Sequence, residues 1–412
     1  MASASDGSLG AWVGAVGRPS AADCCGGLLV VAPSSLATMT VPFLMAGALG
    51  VLILRVCGRL EPTVREARLL AWGLTFLVVL TATIAVWGDL NPEFVMRSSL
   101  GTIHNALYRW IWIVAFLMTN LSVALVANAR RFQGVVGGTV LVIALITTLL
   151  HAAGIRLIDD PLVYSFRGYY RPHGILWTPL EAGLVGLLGW AWGLAWSVQS
   201  GWRRIGGLYL VGLSTAVVYL TFSRSAWMGL GGALLVGLLL TRTHKALWLP
   251  LIITLATFLV ASVALPLGWQ RGVYAAQDDP SVQNRLQLWS QFPAQLIRYP
   301  FGVTEESADT IEQYMAAGSM VNFYLDIGVQ YGVLPFVLQL WLVGILLKRV
   351  WAFILQGQMA GVWGLGVIAS AICVIFMNPS GDSLATALWS GFWGMVSAME
   401  VKPDAPARLH AD

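Results

Sequence analysis

The residues with the clearest chemical potential are arginines that interrupt apolar sequence. In the segment Tyr219–Gly229, Arg224 stands between two apolar stretches and is flanked by Ser223 and Ser225. A charge inside a membrane-spanning region is costly and marks a pathway or a site, although arginine can also extend its charge to the lipid headgroups. We favour a site, because the turn between the two stretches is too tight for a solvated loop.

Further arginines lie in two polar segments, 154–175 and 268–321. They are Arg156, Arg167 and Arg171 in the first segment and Arg271, Arg285 and Arg298 in the second. A guanidinium group binds phosphate through two parallel hydrogen bonds and keeps its charge at physiological pH. Clustered arginines therefore predict a pyrophosphate clamp without a metal or other cofactor, whereas each arginine alone fits an ordinary ion pair. We expect Arg224 and Arg285 to share one cavity.

The surrounding sequence must position these residues within a membrane. Of 412 residues, 57% are hydrophobic and 11% are charged, whereas soluble domains carry about a quarter charged residues. A water-soluble fold is excluded. Apolar stretches of roughly 17 to 25 residues predict an all-α, polytopic membrane protein of about eleven transmembrane helices. The predicted spans are 36–57, 69–87, 110–126, 135–151, 176–196, 205–222, 226–240, 247–267, 322–347, 359–377 and 384–399.

Charge placement predicts which ends of these helices face the cytoplasm. Every second connection is basic, and such connections lie inside the cell; examples are Arg203 and Arg204, Arg242 and Lys245, and Lys348 and Arg349. The alternate connections carry most of the acidic residues, such as Asp159, Asp160, Asp278 and Asp279. The arginine-bearing segments 154–175 and 268–321 therefore face outward.

These patterns divide the chain into three parts. Residues 1–35 form a poorly defined N-terminal segment, residues 36–400 a single transmembrane domain that includes the outer loop 268–321, and residues 401–412 a cytoplasmic tail. The outer loop contains predicted helices at Ser281–Ile297 and Asp309–Ala317. Glycine runs such as Gly189–Gly193 and Gly229–Gly232 predict closely packed helices rather than ligand contacts.

Short motifs follow one another in a distinctive order. Arg171-Pro-His-Gly174 and Trp177-Thr-Pro179 precede the Arg224 segment, and Arg285-Leu-Gln-Leu-Trp289 and Tyr299-Pro-Phe-Gly302 follow it. The segment Asn322–Leu334 then returns to apolar sequence. From Arg171 to Phe336, this order resembles the O-antigen ligase and O-antigen polymerase superfamily of bacterial membrane glycosyltransferases.

The resemblance implies a GT-C-like helical fold in the bacterial cytoplasmic membrane with a site facing the periplasm or exterior. It implies an undecaprenyl-type polyprenyl-pyrophosphate glycan donor, a glycan, lipid or protein acceptor, and transfer with inversion during cell-envelope polysaccharide or lipopolysaccharide synthesis. The resemblance assigns Arg224 and Arg285 to the donor pyrophosphate. We add Arg171, Ser223, Ser225 and Asn322 as substrate contacts, and Trp289 and Tyr324 as surfaces that stack on sugar rings.

One position departs from the family pattern. Ligases of this family carry a histidine immediately before the asparagine that matches Asn322, whereas this chain has Val321. Asp326, one helical turn later, is a candidate for the missing base or for a buried partner of an arginine. Glu305, Glu306 and His173 are further candidates for the base. His104-Asn105 has the required pair of residue types in the wrong place and fits a structural role better.

The sequence leaves two alternative functions and a possible metal site open. A protein acceptor would make the chain a protein O-oligosaccharyltransferase, and a transporter or flippase for an anionic glycolipid would use the same arginines without catalysis. Transporters bind near the bilayer midplane, whereas these charges collect toward one face. Asp159-Asp160 and Asp278-Asp279 could bind a divalent cation, but paired acids before proline are also common in plain turns.

Overall fold

The computed structural model of the protein describes residues 73, 76, 80, 127–155, 165–166, 169–176, 178–268, 280–298, 300, 322–377, 383–397 and 399. Over these ranges the chain is helical apart from one short hairpin and the connecting turns. The helices are α1 (Ala127–Ala152), α2 (Pro179–Ser197), α3 (Trp202–Leu220), α4 (Arg224–Leu240), α5 (Trp248–Ala264), α6 (Pro280–Arg298), α7 (Phe323–Tyr331), α8 (Val333–Leu355), α9 (Met359–Ile375) and α10 (Ser383–Ser397). A 3-10 helix, Lys245–Leu247, precedes α5.

The helices agree with most of the predicted spans that fall in the described part of the chain. The five spans between residues 135 and 267 correspond to α1 to α5, and the last two correspond to α9 and α10. The helix predicted at Ser281–Ile297 is confirmed as α6. The spans 36–57 and 110–126, most of 69–87 and the helix Asp309–Ala317 lie outside the described residues. The total of about eleven transmembrane helices therefore stays a prediction from span length.

The single span predicted from Asn322 to Leu347 is wrong, because the structure divides it at Gly332. Gly332 has φ 86° and ψ −168°, a conformation that residues with a Cβ rarely adopt. The backbone N–H of Val333 then bonds to the carbonyl of Pro300 at 2.9 Å instead of continuing the helix. The result is a short α7 beside a long α8. Hydropathy did not reveal the break, because apolar residues flank Gly332 on both sides.

A hairpin that the sequence did not predict precedes α2. Strands β1 (Ser165–Phe166) and β2 (Tyr169–Tyr170) pair antiparallel, with Ser165 opposite Tyr170. Strands of two residues are too short for the alternating pattern by which strands are recognised. The hairpin leads directly into Arg171.

Helix α2 lies at the centre of the bundle and contacts α1, α3, α4, α9 and α10. Its start is fixed by a capping box, in which Thr178 N–H donates to Glu181 Oε2 at 2.8 Å and Thr178 Oγ1 accepts from Glu181 N–H at 3.3 Å. Close packing depends on glycine, since a Cβ at Gly193 would lie 2.8 Å from the backbone nitrogen of Val211. The predicted packing role is confirmed for Gly193, whereas Gly231 faces open space.

Large apolar side chains cover the outside of the bundle. On α5, Leu255 is 57% exposed and Val263 is 83% exposed, and on α8 Val337 is 53% exposed. Within the described residues, Lys245–Ala264 and Val333–Leu355 are long and apolar enough to cross a membrane. The helices Gly137–Ala152, Arg224–Leu240 and Met359–Ile375 are apolar but shorter. An apolar surface of this kind is suited to contact with lipid chains.

The two ends of the bundle differ in charge. We call the end where α3 passes into α4 the site end; there α2 begins close to α4, since a Cβ at Gly183 would lie 2.9 Å from the Ala226 Cβ. The opposite end, the basic end, carries Arg203, Arg204, Arg242, Lys245, Lys348 and Arg349. Trp202 and Trp248 are 69% and 50% exposed near this end, as expected of indole rings at a membrane interface.

Candidate functional site

The turn between α3 and α4 is tightly packed and places Arg224 at the start of a helix. Phe222 has φ 49° and is 1% exposed, a left-handed conformation that is uncommon for a bulky residue. Tyr219 stacks on Trp227 with ring centroids 5.2 Å apart, and Trp227 Nε1 donates to the Val218 carbonyl at 2.9 Å. Such strained backbone persists where the surroundings hold it firmly, often at functional sites.

Two serines join this turn to the end of α9. Ser223 caps α4 by accepting a hydrogen bond from Ala226 N–H at 3.4 Å, and its hydroxyl lies 2.8 Å from that of Ser225. Ser225 also shares a hydrogen bond with the Cys373 thiol. Both serines are almost completely buried. The two serines are therefore hydrogen-bonded within the protein beside Arg224, and direct contact with substrate stays a prediction.

Arg171 connects the hairpin to the same turn. Its side chain is 8% exposed, and its Nε donates to the Thr221 carbonyl at 2.9 Å. Thr221 caps the C-terminal end of α3, where the helix dipole favours a cation. Because Thr221 lies three residues before Arg224, one hydrogen bond brings Arg171 to the segment that carries Arg224.

Arg285 and Trp289 lie on α6 and contact the end of α9. Arg285 Nη1 donates to the Phe376 carbonyl at 3.3 Å, and the Trp289 and Phe376 rings are 5.6 Å apart. Leu288 and Phe292 are buried on the same helix with Val329 of α7 and with the half-buried Phe336 of α8. Helix α6 is therefore packed on the bundle at the site end.

Asn322, Tyr324 and Asp326 occupy the start of α7. The Asn322 Oδ1 accepts hydrogen bonds from Tyr324 N–H at 2.9 Å and Leu325 N–H at 3.1 Å, so this side chain caps the helix. Tyr324 is 9% exposed, and its hydroxyl donates to the Ala371 carbonyl at 3.3 Å. Asp326 has no exposed surface. All three are built into the bundle, and their roles toward substrate stay predictions.

The last turn of α9 is where these segments meet. Ser225 contacts Cys373, Arg285 contacts Phe376, and the backbone N–H of Phe323 donates to the Met377 carbonyl at 3.3 Å. The segments bearing Arg224, Arg285 and Asp326 are therefore attached within about one helical turn of one another along α9. That the Arg224 and Arg285 guanidinium groups share a cavity remains a prediction.

A histidine that the sequence reasoning missed lies near Arg171. His151 is 5% exposed at the end of α1, and its ring centroid is 4.7 Å from those of Tyr170 and His173. His151 is the last residue of a predicted apolar span, and its 22-residue separation from His173 hid the contact. A search for histidines at the outer ends of predicted spans would have found it.

Several sequence candidates cannot be placed. Val321, Glu305, Glu306, His104, Asn105 and both predicted acidic pairs lie outside the described residues. Over the described ranges, no group of three or more His, Cys, Asp or Glu side chains is placed to hold a metal ion.

A helical bundle with an apolar exterior, in which Arg171, Arg224 and Arg285 lie toward one end, is typical of a membrane protein with a polar site. Residues 209–340 match the O-antigen ligase family. The match extends from α3 into α8 and includes the Arg224 turn, α6 and α7. It confirms the resemblance to the O-antigen ligase and polymerase superfamily over these residues, and it supports in general a membrane enzyme of ligase or polymerase type. No curated protein matches the chain closely enough to count as a relative.

Proposed function

We propose that the protein transfers or polymerises glycan from a polyprenyl-pyrophosphate donor at the outer face of the cytoplasmic membrane. The observation that carries this proposal is the meeting of the segments bearing Arg171, Arg224 and Arg285 at one end of the bundle. Arg171 and Arg285 bond to backbone carbonyls at the ends of α3 and α9. A guanidinium group has five N–H donors, so one bond to a backbone carbonyl is compatible with a phosphate contact.

Three helix N-termini at the site end favour an anion there. α2, α4 and α7 begin there, and helix N-termini carry partial positive charge and backbone N–H groups that suit phosphate. α1, α3, α5 and α9 end there, and Arg171 and Arg285 bond to carbonyls at the ends of α3 and α9. The negative ends of α3 and α9 are thus covered by cations, while the positive ends of α2, α4 and α7 contribute to the field at Arg224.

The transfer reaction requires positive charge beside the donor pyrophosphate. As the bond between the anomeric carbon and the pyrophosphate oxygen breaks, negative charge develops on the leaving group, and preorganised cations in a poorly hydrated site stabilise it. We propose that Arg224 and Arg285 supply this stabilisation without a metal, and that Arg171 holds the Arg224 turn in place. Trp289, half-buried beside Phe376, offers an aromatic face for a sugar ring.

Charge asymmetry supports the outward orientation of the site. Arg242 and Lys245 of the basic end lie between α4 and α5, and Arg203, Arg204, Lys348 and Arg349 lie toward the ends of α3 and α8. Basic residues at the ends of membrane helices are retained in the cytoplasm. The site end lies at the opposite end of helices about 26 to 30 Å long, close to the thickness of the hydrocarbon core. We therefore place the donor pyrophosphate at the outer headgroup layer.

A test follows the glycan itself in membranes that contain the protein and their native polyprenyl-linked glycans. With a chelator present, we expect lengthening of the glycan or its transfer to an acceptor, and loss of both when Arg224 and Arg285 are replaced together by Gln. Turnover abolished by the chelator would support metal-assisted catalysis instead. Movement of the glycolipid across the bilayer without a new glycosidic bond would support a transporter, and glycan attached to protein would support a protein acceptor.

A further inference from the structure

We infer that His173 is the general base that takes the proton from the acceptor hydroxyl; this inference rests on the function proposed above. His173 stands in the segment Arg171–Gly174, between the hairpin and α2. It is 4% exposed and is held on both sides by backbone contacts. Because Val321 stands where ligases of the family carry a histidine, the general base was unassigned. His173 supplies a basic nitrogen at the site end.

The hydrogen bonds of His173 determine its tautomer. Its Nδ1 lies 2.6 Å from the Leu176 carbonyl, and a carbonyl can only accept, so Nδ1 carries the proton. In the neutral ring Nε2 then has a lone pair, and the Tyr170 hydroxyl lies 3.5 Å from it. A base nitrogen oriented through its opposite N–H is the arrangement found in histidine bases of hydrolases and transferases.

The contact with Tyr170 shows that Nε2 of His173 can accept a hydrogen bond from a hydroxyl group. The Tyr170 side chain is half-buried, and its hydroxyl is at the outer limit of hydrogen-bond distance from Nε2. A long contact of this kind is displaced at small cost by a better-placed donor. An acceptor sugar hydroxyl that replaces the Tyr170 hydroxyl would donate to Nε2 in the same direction.

His151 supports this loop and is unsuited to act as the base through its Nδ1. That atom accepts hydrogen bonds from Gly174 N–H at 3.1 Å and from His173 N–H at 3.4 Å. The lone pair of Nδ1 is therefore used by the backbone, and the proton of the neutral ring lies on Nε2. His151 positions the backbone of His173, whereas His173 presents the basic nitrogen.

His173 lies in the segment that Arg171 connects to the turn bearing Arg224. Arg171, two residues earlier, bonds to Thr221, and Thr221 is followed three residues later by Arg224. In the proposed step, Nε2 of His173 takes the acceptor proton while the acceptor oxygen bonds to the anomeric carbon. The bond from that carbon to the pyrophosphate oxygen breaks, and its electron pair leaves with the pyrophosphate. The imidazolium then returns its proton to water.

Asp326 is less suited to this step. It has no exposed surface and lies in the first turn of α7, where its negative charge stabilises the helix N-terminus. We therefore assign Asp326 to charge balance at the site end rather than to proton transfer.

The test uses two asparagine substitutions that preserve different hydrogen bonds. In His173→Asn, the amide N–H can still donate to the Leu176 carbonyl, but the basic nitrogen is lost. In His151→Asn, the amide oxygen can still accept from Gly174 and His173. We expect His173→Asn to lower the transfer rate roughly a hundred- to ten-thousandfold, the range for loss of a general base, and His151→Asn to change it about threefold or less.

Binding of polyprenyl pyrophosphate without sugar is measured in parallel on both variants. We expect it to be unchanged, because the clamp arginines are intact. Normal transfer by His173→Asn would overturn the base assignment while leaving the proposed function standing. Equal rate losses in both variants, or loss of binding in His173→Asn, would show that the loop matters for structure alone. Absence of transfer by the unmodified protein would count against the proposed function itself.

Discussion

Arg171 donates a hydrogen bond from its Nε to the backbone carbonyl of Thr221 at 2.9 Å, across 50 residues of sequence. This bond ties the segment after the hairpin to the turn that carries Arg224. Because Arg171 is nearly buried and its partner caps α3, the arginine has a structural function in addition to any contact with phosphate. Arg171 and Arg224 should therefore respond differently to substitution.

Arg171→Lys should lower both thermal stability and transfer. The ammonium group cannot reproduce the directed Nε bond to Thr221, and a buried hydrogen bond from a charged donor is worth about 1.5 to 3 kcal/mol. Thermal unfolding of the purified protein in detergent measures the loss. Unchanged thermal stability together with slow transfer would contradict the positioning function and indicate direct contact with the donor.

Gly332→Ala should destabilise the protein, because Gly332 joins α7 to α8 in a conformation that is essentially restricted to glycine. We expect a loss of about 1 to 3 kcal/mol, measured as a lower thermal midpoint. The matched control is Gly344→Ala in α8, where a new Cβ meets open space and alanine favours the helix by about 1 kcal/mol. Equal midpoints for the two variants would contradict the requirement for glycine at the break.

The sequence predicted the helices well because the hydrocarbon imposes length and apolarity on each span. It identified the Arg224 turn for the same reason, since a charge between two apolar stretches is conspicuous. Contacts between residues that are far apart in the sequence produce no such pattern. Ser225 and Cys373 are 148 positions apart in the sequence, and Cys373 lies in an apolar run. The pairing of His151 with His173 was hidden in the same way.

The break at Gly332 escaped prediction for a different reason. Hydropathy reports burial, whereas the break depends on one backbone angle and on the bond from Val333 to Pro300. Glycine in an apolar run is equally compatible with helix packing, as Gly193 demonstrates in α2. A glycine that packs and a glycine that ends a helix cannot be separated without knowing what lies next to each.

Membrane orientation can be checked with reporter fusions. Fusions after Arg131, Arg204, Lys245 and Lys348 should report the cytoplasm, and fusions between Asp278 and Glu312 should report the outside, because basic connections alternate along the chain. Labelling of the segment 268–321 from the cytoplasm would contradict both the orientation and a reaction at the outer face.

Arg285→Lys distinguishes a leaving-group clamp from a simple positive charge. Lysine keeps the charge but cannot form the planar two-pronged contact with phosphate, and loss of one preorganised donor costs about 2.7 to 4 kcal/mol, roughly a hundred- to a thousandfold in rate. Arg224→Lys should behave alike. Arg298→Lys is the matched control, because Arg298 is exposed in the last turn of the same helix as Arg285, and it should change the rate little.

The transfer rate of each variant is measured with a chelator present, and its thermal midpoint is measured in parallel. Arg285 also bonds to the Phe376 carbonyl, so a drop in midpoint that matches the drop in rate would indicate that it only attaches α6 to α9. A large rate loss with a nearly normal midpoint would instead place its effect in the transition state, where charge on the pyrophosphate is greatest. Full activity of both lysine variants would rule out the clamp, because a diffuse charge would then be sufficient and the planar geometry of arginine would be irrelevant.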